Sequence, residues 1–147
     1  MENVRVYEIP ACKMVSSQCG ILGDGKLERF NEWFSSLPRP MFPKDFMFYD
    51  NEKDGFIWYY VYEEGMNVPE EFDIVDFPGG LYAVATEIDG KDATHVISVI
   101  KSFIKEKGCF EEDTTRKCLG NIFTTPLARK ALGYEQMDYY VPIKIKS

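Results

Sequence analysis

The sequence predicts an α+β fold of two related strand-strand-helix-strand halves that share one antiparallel sheet about a pseudo-two-fold axis, with a central cleft. Three observations carry that expectation. Two aromatic strands contain the same run, Tyr59-Tyr60-Val61 and Tyr139-Tyr140-Val141. An acid stands two places before a proline twice, in Glu8-Ile9-Pro10 and in Asp76-Phe77-Pro78. After each of those prolines come a second strand and an amphipathic helix. The repeat length of roughly 70 residues is too long for a solenoid unit, and two copies are too few for an array. One domain over residues 1–147, with halves at about 4–66 and 72–146, is the economical reading.

Each element has a local reason. Val4 to Ile9 alternates toward Pro10 as an opening strand, and Lys13 to Ile21 reads as the second. Asp24 to Leu37 is helical: Leu27, Phe30, Phe34 and Leu37 form one stripe, Asp24 is the N-cap, and Pro38 ends it. The run Pro38-Arg39-Pro40-Met41-Phe42-Pro43 is extended, because a residue before proline is driven out of the helical region. Phe46 to Tyr49 is a short strand, Asp50 to Gly55 has turn chemistry, and Phe56 to Glu63 is the first aromatic strand. Phe72 to Pro78 and Leu81 to Ile88 are the strands that open the second half, with Gly79-Gly80 between them. Asp92 to Lys107 is the second helix, with Val96, Val99, Ile100 and Phe103 inward and Gly108 as its stop. Gly108 to Gly133 is irregular, holding a strand at Leu119 to Phe123 and a short helix from Thr125-Pro126 to Gly133. Met137 to Lys144 closes the pattern as the second aromatic strand.

Composition limits the function classes. Hydrophobic residues at 45% and charged residues at 28% are those of a soluble globular protein. Aromatics reach 15%, with nine Tyr and eleven Phe, more than a core of this size needs. That excess points to a ring-lined pocket or interface, a packed aromatic core being the bland alternative. The net charge of −7, with no basic block, excludes direct binding of nucleic acid. No apolar run approaches a membrane span. Cys12, Cys19, Cys109 and Cys118 have neither zinc nor redox spacing and, without a signal peptide, read as reduced thiols of a cytoplasmic protein. His95 is the only histidine and reads as a partly exposed helix residue. No metal set, Cys–His pair, nucleophile elbow or phosphate loop follows, so neither metal nor cofactor is expected.

One residue is out of place in this pattern. Asp138 is a poor strand former set between Met137 and two tyrosines, where a charge is costly unless something pairs with it. Aligning the two Tyr-Tyr-Val runs puts Trp58 in register with Asp138 and Tyr60 with Tyr140. That register predicts a cavity with rings on one side and an acid on the other. Trp58, Tyr60 and Tyr62 share one face of their strand, and with Tyr140 that face is assigned to the cleft. A one-residue slip would invert the assignment. In such a cavity Asp138 would hold a cation, helped by cation–π contacts from the rings; the bland alternative is a strand residue paired with a nearby lysine. Glu87 is a second candidate carboxylate, or a solvated acid at a strand end. Phe48 and Tyr49 are candidates for the rim.

Three stretches resemble the GyrI-like, or AraC-type effector-binding, domain family. They are Val6-Tyr7-Glu8-Ile9-Pro10, Phe77-Pro78-Gly79-Gly80-Leu81-Tyr82-Ala83-Val84, and Asp138-Tyr139-Tyr140-Val141-Pro142-Ile143-Lys144. The family generally has Glu where this chain has Asp138, which sets the charge back by about one methylene. The resemblance implies the small-molecule module of multidrug-responsive transcription activators, here as a stand-alone ligand sensor or sequestering protein without a DNA-binding segment. It implies a lipophilic, cationic ligand held in a cleft between the halves, and it adds Tyr82, in the Tyr-Ala-Val motif, to the cleft wall. Two further readings follow from it. Some relatives hydrolyse strained-ring DNA-alkylating compounds, for which Asp138 or Glu87 with Tyr82 or Tyr140 would supply the groups. The gyrase-inhibitor likeness implies a protein partner, either gyrase or a separate DNA-binding regulator.

Overall fold

A computed structural model describes residues 3–147. The chain forms two compact units: a central one, residues 11–78, and a flanking one, which joins the opening residues through Pro10 to residues 79–147. Every strand pairing within them is antiparallel, and the fold class is α+β as expected.

The central unit holds β2 (Cys12–Ser16), α1 (Lys26–Ser35), β3 (Asp45–Asp50), β4 (Gly55–Val61) and β5 (Asp73–Phe77). Its strand order is β3-β4-β2-β5. The flanking unit holds β1 (Arg5–Ile9), β6 (Gly80–Ile88), α2 (Thr94–Lys107), β7 (Phe110–Glu112), β8 (Leu119–Ile122), α3 (Pro126–Leu132) and β9 (Gln136–Ile145). Its order is β1-β6-β9-β8, and β7 pairs with β9 beyond β8. The orders match position for position, so the duplication is real. The opening strands are exchanged, however: β1 precedes β2 in the chain but pairs with β6, and β5 precedes β6 but pairs with β2. Each unit is therefore strand-helix-strand-strand plus one strand from the other repeat.

The helix starts differ from expectation in detail. α1 begins after Gly25, and Asp24, one place earlier, accepts the Lys26 amide at 2.8 Å through its side chain. Glu28 accepts the Gly25 amide at 2.9 Å. In α2 the residues that pack inward are Val96, Ile100 and Ile104, flanked by Ile97 and Phe103, whereas Val99 stays outside the cluster. The second strand stops at Ser16, short of Ile21, because Gln18 takes a φ of 65° and Ser16 Oγ accepts the Gln18 amide. The short α3 is capped as read, Thr125 accepting the Ala128 amide and Gly133 closing at a φ of 84°.

Each unit packs one sheet face under its long helix. In the central unit, Val15, Phe30, Tyr60 and Phe72 are buried together with Trp33, Phe34, Trp58 and Tyr62 against them. In the flanking unit, Ala83, Ala85, Val141 and Ile143 lie under Val96, Ile100 and Ile104, with Tyr139 alongside. Burying one such aliphatic side chain contributes about 2 kcal/mol.

Candidate functional site

Alternation along β9 settles which residues leave the helix-covered face. Tyr139, Val141 and Ile143 pack toward α2, so Asp138, Tyr140 and Pro142 point to the opposite side. Directly paired residues share a face. Tyr82 stands opposite Pro142, Val84 opposite Tyr140 and Thr86 opposite Asp138; from β8, Leu119 stands opposite Tyr140 and Asn121 opposite Asp138. β1 adds Arg5 and Tyr7, paired with Val84 and Tyr82. The result is a face on which Tyr82, Tyr140, Asn121 and Asp138 are buried alongside the apolar Val84 and Leu119.

The acid has a partner. Arg5 Nη2 lies 3.0 Å from Asp138 Oδ1, and the Thr86 hydroxyl donates to the same oxygen at 2.6 Å. Arg5 also donates through Nε to the Tyr7 hydroxyl at 2.8 Å, and its guanidinium lies 5.4 Å from the centre of that ring. The ion pair has a graded exposure: the Arg5 side chain is 33% exposed and that of Asp138 only 12%. A charge so placed holds only because its counter-charge is fixed beside it.

A row of rings runs inward from this pair. Tyr7 and Tyr140 have centres 6.4 Å apart, and Tyr140 and Tyr82 meet nearly edge-on at 6.0 Å. Burial, then the neighbouring Asp138 charge, pushes the Tyr140 hydroxyl far above its ordinary pKa. Asn121 makes a side-chain hydrogen bond to Tyr140, yet its own Oδ1 is buried without a hydrogen-bond partner. Burial likewise raises the Tyr82 hydroxyl.

A second arginine closes the row. The Arg116 guanidinium lies 4.8 Å from the Tyr82 ring centre and donates to the carbonyls of Gly79 at 3.2 Å, Leu81 at 3.0 Å and Ile143 at 2.7 Å. Its Nε meets Asp113 at 2.9 Å. This requires glycine at position 80, where φ is +125° and a Cβ would sit 2.6 Å from Arg116 Nη1. Gly79-Gly80 therefore makes room for a buried cation that joins β6 to β9.

The expected site residues divide. Asp138, Tyr140 and Tyr82 come together. Trp58, Tyr60 and Tyr62 do not join a non-helical face: they pack beneath α1 among Phe30, Phe34 and Phe72, which corrects the face assigned to them. The reason is the one-residue parity of a strand. Trp58 instead donates its indole N–H to Asp45 at 3.0 Å. The rings on the other face of the central unit include Tyr59, Phe46 directly opposite it, Phe48 and Phe77, the last two with centres 5.1 and 6.1 Å from Tyr59. Tyr49, read as rim, lies on the side of Trp58 and is exposed. Glu87 falls on the α2 side of β6, next along from Ala83 and Ala85, and so does not share a face with Asp138. His95 is exposed on α2. Arg5, Tyr7, Thr86, Asn121 and Arg116 were missed. The signal for Arg5 was present, since a lone acid among rings requires a cation; the opening strand, paired across the exchange, was not where one was sought.

Among the described residues no group of three or more His, Cys, Asp or Glu side chains is placed to hold a metal, and no helix is long and apolar enough to cross a membrane.

No protein-family model matches the chain, and no curated protein matches it in sequence. Solved structures match it in fold. A hydrolase from Listeria innocua aligns at a TM-score of 0.69 and 12% identity, over 97% of this chain and 92% of that one. The C-terminal domain of EcmrR aligns at 0.60 and 12% identity, over 98% of both chains. Against the whole EcmrR chain in its DNA complex, this chain spans 57% of that length, at a TM-score of 0.61 and 11% identity. SAV2435, solved bound to tetraphenylphosphonium, aligns at 0.53 and 8% identity, over 97% of this chain and 94% of that one. At identities this low the likeness establishes a shared fold alone.

Proposed function

We propose that the protein binds a lipophilic, ring-bearing small molecule on the non-helical face of the flanking unit, as a ligand sensor or sequestering protein. One observation carries the reading. A face that only packs would be apolar, whereas this one gathers Asp138, Asn121, Tyr140 and Tyr82 in buried positions, with Arg5 and Tyr7 at its more exposed edge. The tetraphenylphosphonium bound to SAV2435 supports the ligand class. The cationic form of the reading, with Asp138 as counter-charge, asks the acid to exchange Arg5 for the ligand. A site of this kind gives micromolar binding, about −8 kcal/mol.

Calorimetric titration of tetraphenylphosphonium and of uncharged ring compounds tests the reading. One-to-one saturation that is weakened at least about tenfold by Tyr140→Leu supports it; absence of saturable binding by every compound removes it. Asp138→Asn then separates the electrostatic part, since equal cation affinities would leave the acid no role. A regulatory role through a separate DNA-binding regulator is the extension that the EcmrR likeness favours, gyrase being the partner that the gyrase-inhibitor resemblance implies; a pull-down with ligand-loaded protein tests both.

Hydrolysis of a strained-ring alkylating compound is the second reading, favoured by the Listeria innocua hydrolase likeness. With Glu87 on the other face, it rests on Asp138 as the base with Tyr82 or Tyr140, whose raised pKa values keep them protonated as hydrogen-bond donors to developing negative charge. Product formed at substoichiometric protein would establish it, and protection of the compound at one equivalent would exclude it.

A further inference from the structure

Among the described residues, Asn121 on this face has a fully buried side-chain acceptor without a donor. Asp138 Oδ1 is taken by both Arg5 and Thr86, and the pair carries no net charge. Asn121, only 6% exposed and directly opposite Asp138 in the strand register, has an Oδ1 with no donor. Buried acceptors are ordinarily satisfied, and among the described residues this exception, beside a row of rings, marks where an incoming donor would be held.

We infer that Asp138 is reserved for Arg5, and that the site selects an uncharged, ring-bearing ligand that donates an N–H or O–H hydrogen bond to Asn121 Oδ1. The inference rests on the small-molecule reading above and deepens it. A cation arriving at this face meets Arg5 before the acid, and binding it there means separating an ion pair whose acid end is buried. A neutral donor meets no such opposition. It satisfies Asn121 and lays its ring against Tyr140 or Tyr7, with the closed ion pair intact. Sites that hydrogen-bond a ligand donor reject the analogue lacking it, because the buried acceptor is then left empty.

Indole and 1-methylindole are the probes, nearly identical in shape and differing in the N–H. The wild-type protein binds indole at least about tenfold tighter, and Asn121→Leu abolishes the difference. Arg5→Met, which leaves the acid unpaired, strengthens tetraphenylphosphonium binding at least about tenfold. Equal wild-type affinities for the two indoles overturn the inference, as does a preference that survives in Asn121→Leu or a cation affinity unmoved by Arg5→Met. Should Asn121→Leu lose its circular-dichroism signature of folding, the wild-type ratio and Arg5→Met decide. Wild-type binding of tetraphenylphosphonium with no preference between the indoles sinks this inference alone; saturable binding by none of the three sinks the small-molecule reading with it.

Discussion

The two units use the same strand order and the same Tyr-Tyr-Val run, yet treat it in opposite ways. In the central unit Val15 pairs with Tyr60, and both lie beneath α1. In the flanking unit Val84 pairs with Tyr140 in the same register, but the residues beneath α2 are their neighbours Ala83, Ala85, Tyr139 and Val141. Pairing register is thus preserved while the covered face is inverted. The crossovers from β2 to β3 and from β6 to β8 follow one handedness rule and put the helix on the corresponding side in both units, so the inversion comes from a one-residue shift in the phase of the Tyr-Tyr-Val run along its strand. The same three letters therefore build a core in one unit and a candidate site in the other.

The largest expected effect comes from forcing one face to carry the other's residue. Trp58→Asp places an acid among Phe30, Phe34 and Tyr60 and removes the indole donor from Asp45. Lost packing and an unpaired charge together cost at least about 5 kcal/mol, enough to abolish a cooperative urea transition. A well-folded Trp58→Asp protein would break the comparison. Next is Arg116→Met, which leaves three carbonyls and Asp113 without their donor and costs about 3 kcal/mol in urea midpoint analysis. The smaller effect lies on the candidate site itself. Asp138→Leu alone strands Arg5 and costs about 2 kcal/mol, but joined to Arg5→Met the total falls within about 1 kcal/mol of wild type, because an ion pair is replaced by apolar groups of similar size. A double variant as damaged as the single would make this face core.

Much of the fold was legible because its signals are local. Thr125-Pro126 opening α3, the Leu27-Phe30-Phe34 stripe and the duplicated aromatic strands each declare an element without reference to distant chain. What escaped was non-local. The exchange of β1 and β5 left no mark in either strand's own pattern, and the face of β4 depended on which side α1 would take. Asp138 and Tyr140 were found because a charge among rings is conspicuous anywhere. Asn121 was not, since a polar residue in a four-residue strand looks like an edge until its burial is seen. Arg116 sat in a stretch read as irregular, and only Gly80, which a Cβ would drive into the guanidinium, recorded its presence upstream.

Asp113 makes the support beneath the candidate site sensitive to acid. The Thr115 hydroxyl, then Arg116, hold its carboxyl far below the usual carboxylate range. A depressed folded-state pKa contributes stability that is fully present above the unfolded value, here near 3.8, and is lost as pH falls below it. The stability that Asp113 contributes therefore declines below about pH 4, as the unfolded chain takes up the proton that the folded one still refuses. Asp45 acts in the opposite sense: burial raises its pKa, so its protonation in acid relieves the central unit rather than loosening it. Acid should accordingly reach the flanking unit first. Asp113→Asn lowers stability at neutral pH and flattens the loss between about pH 4 and 2, measured as thermal midpoint against pH. The fluorescence of Trp33 and Trp58, both in the central unit, should change later along that titration than indole binding does. Simultaneous loss of both signals, or an unchanged acid slope in Asp113→Asn, would show that the two faces do not differ in what sustains them.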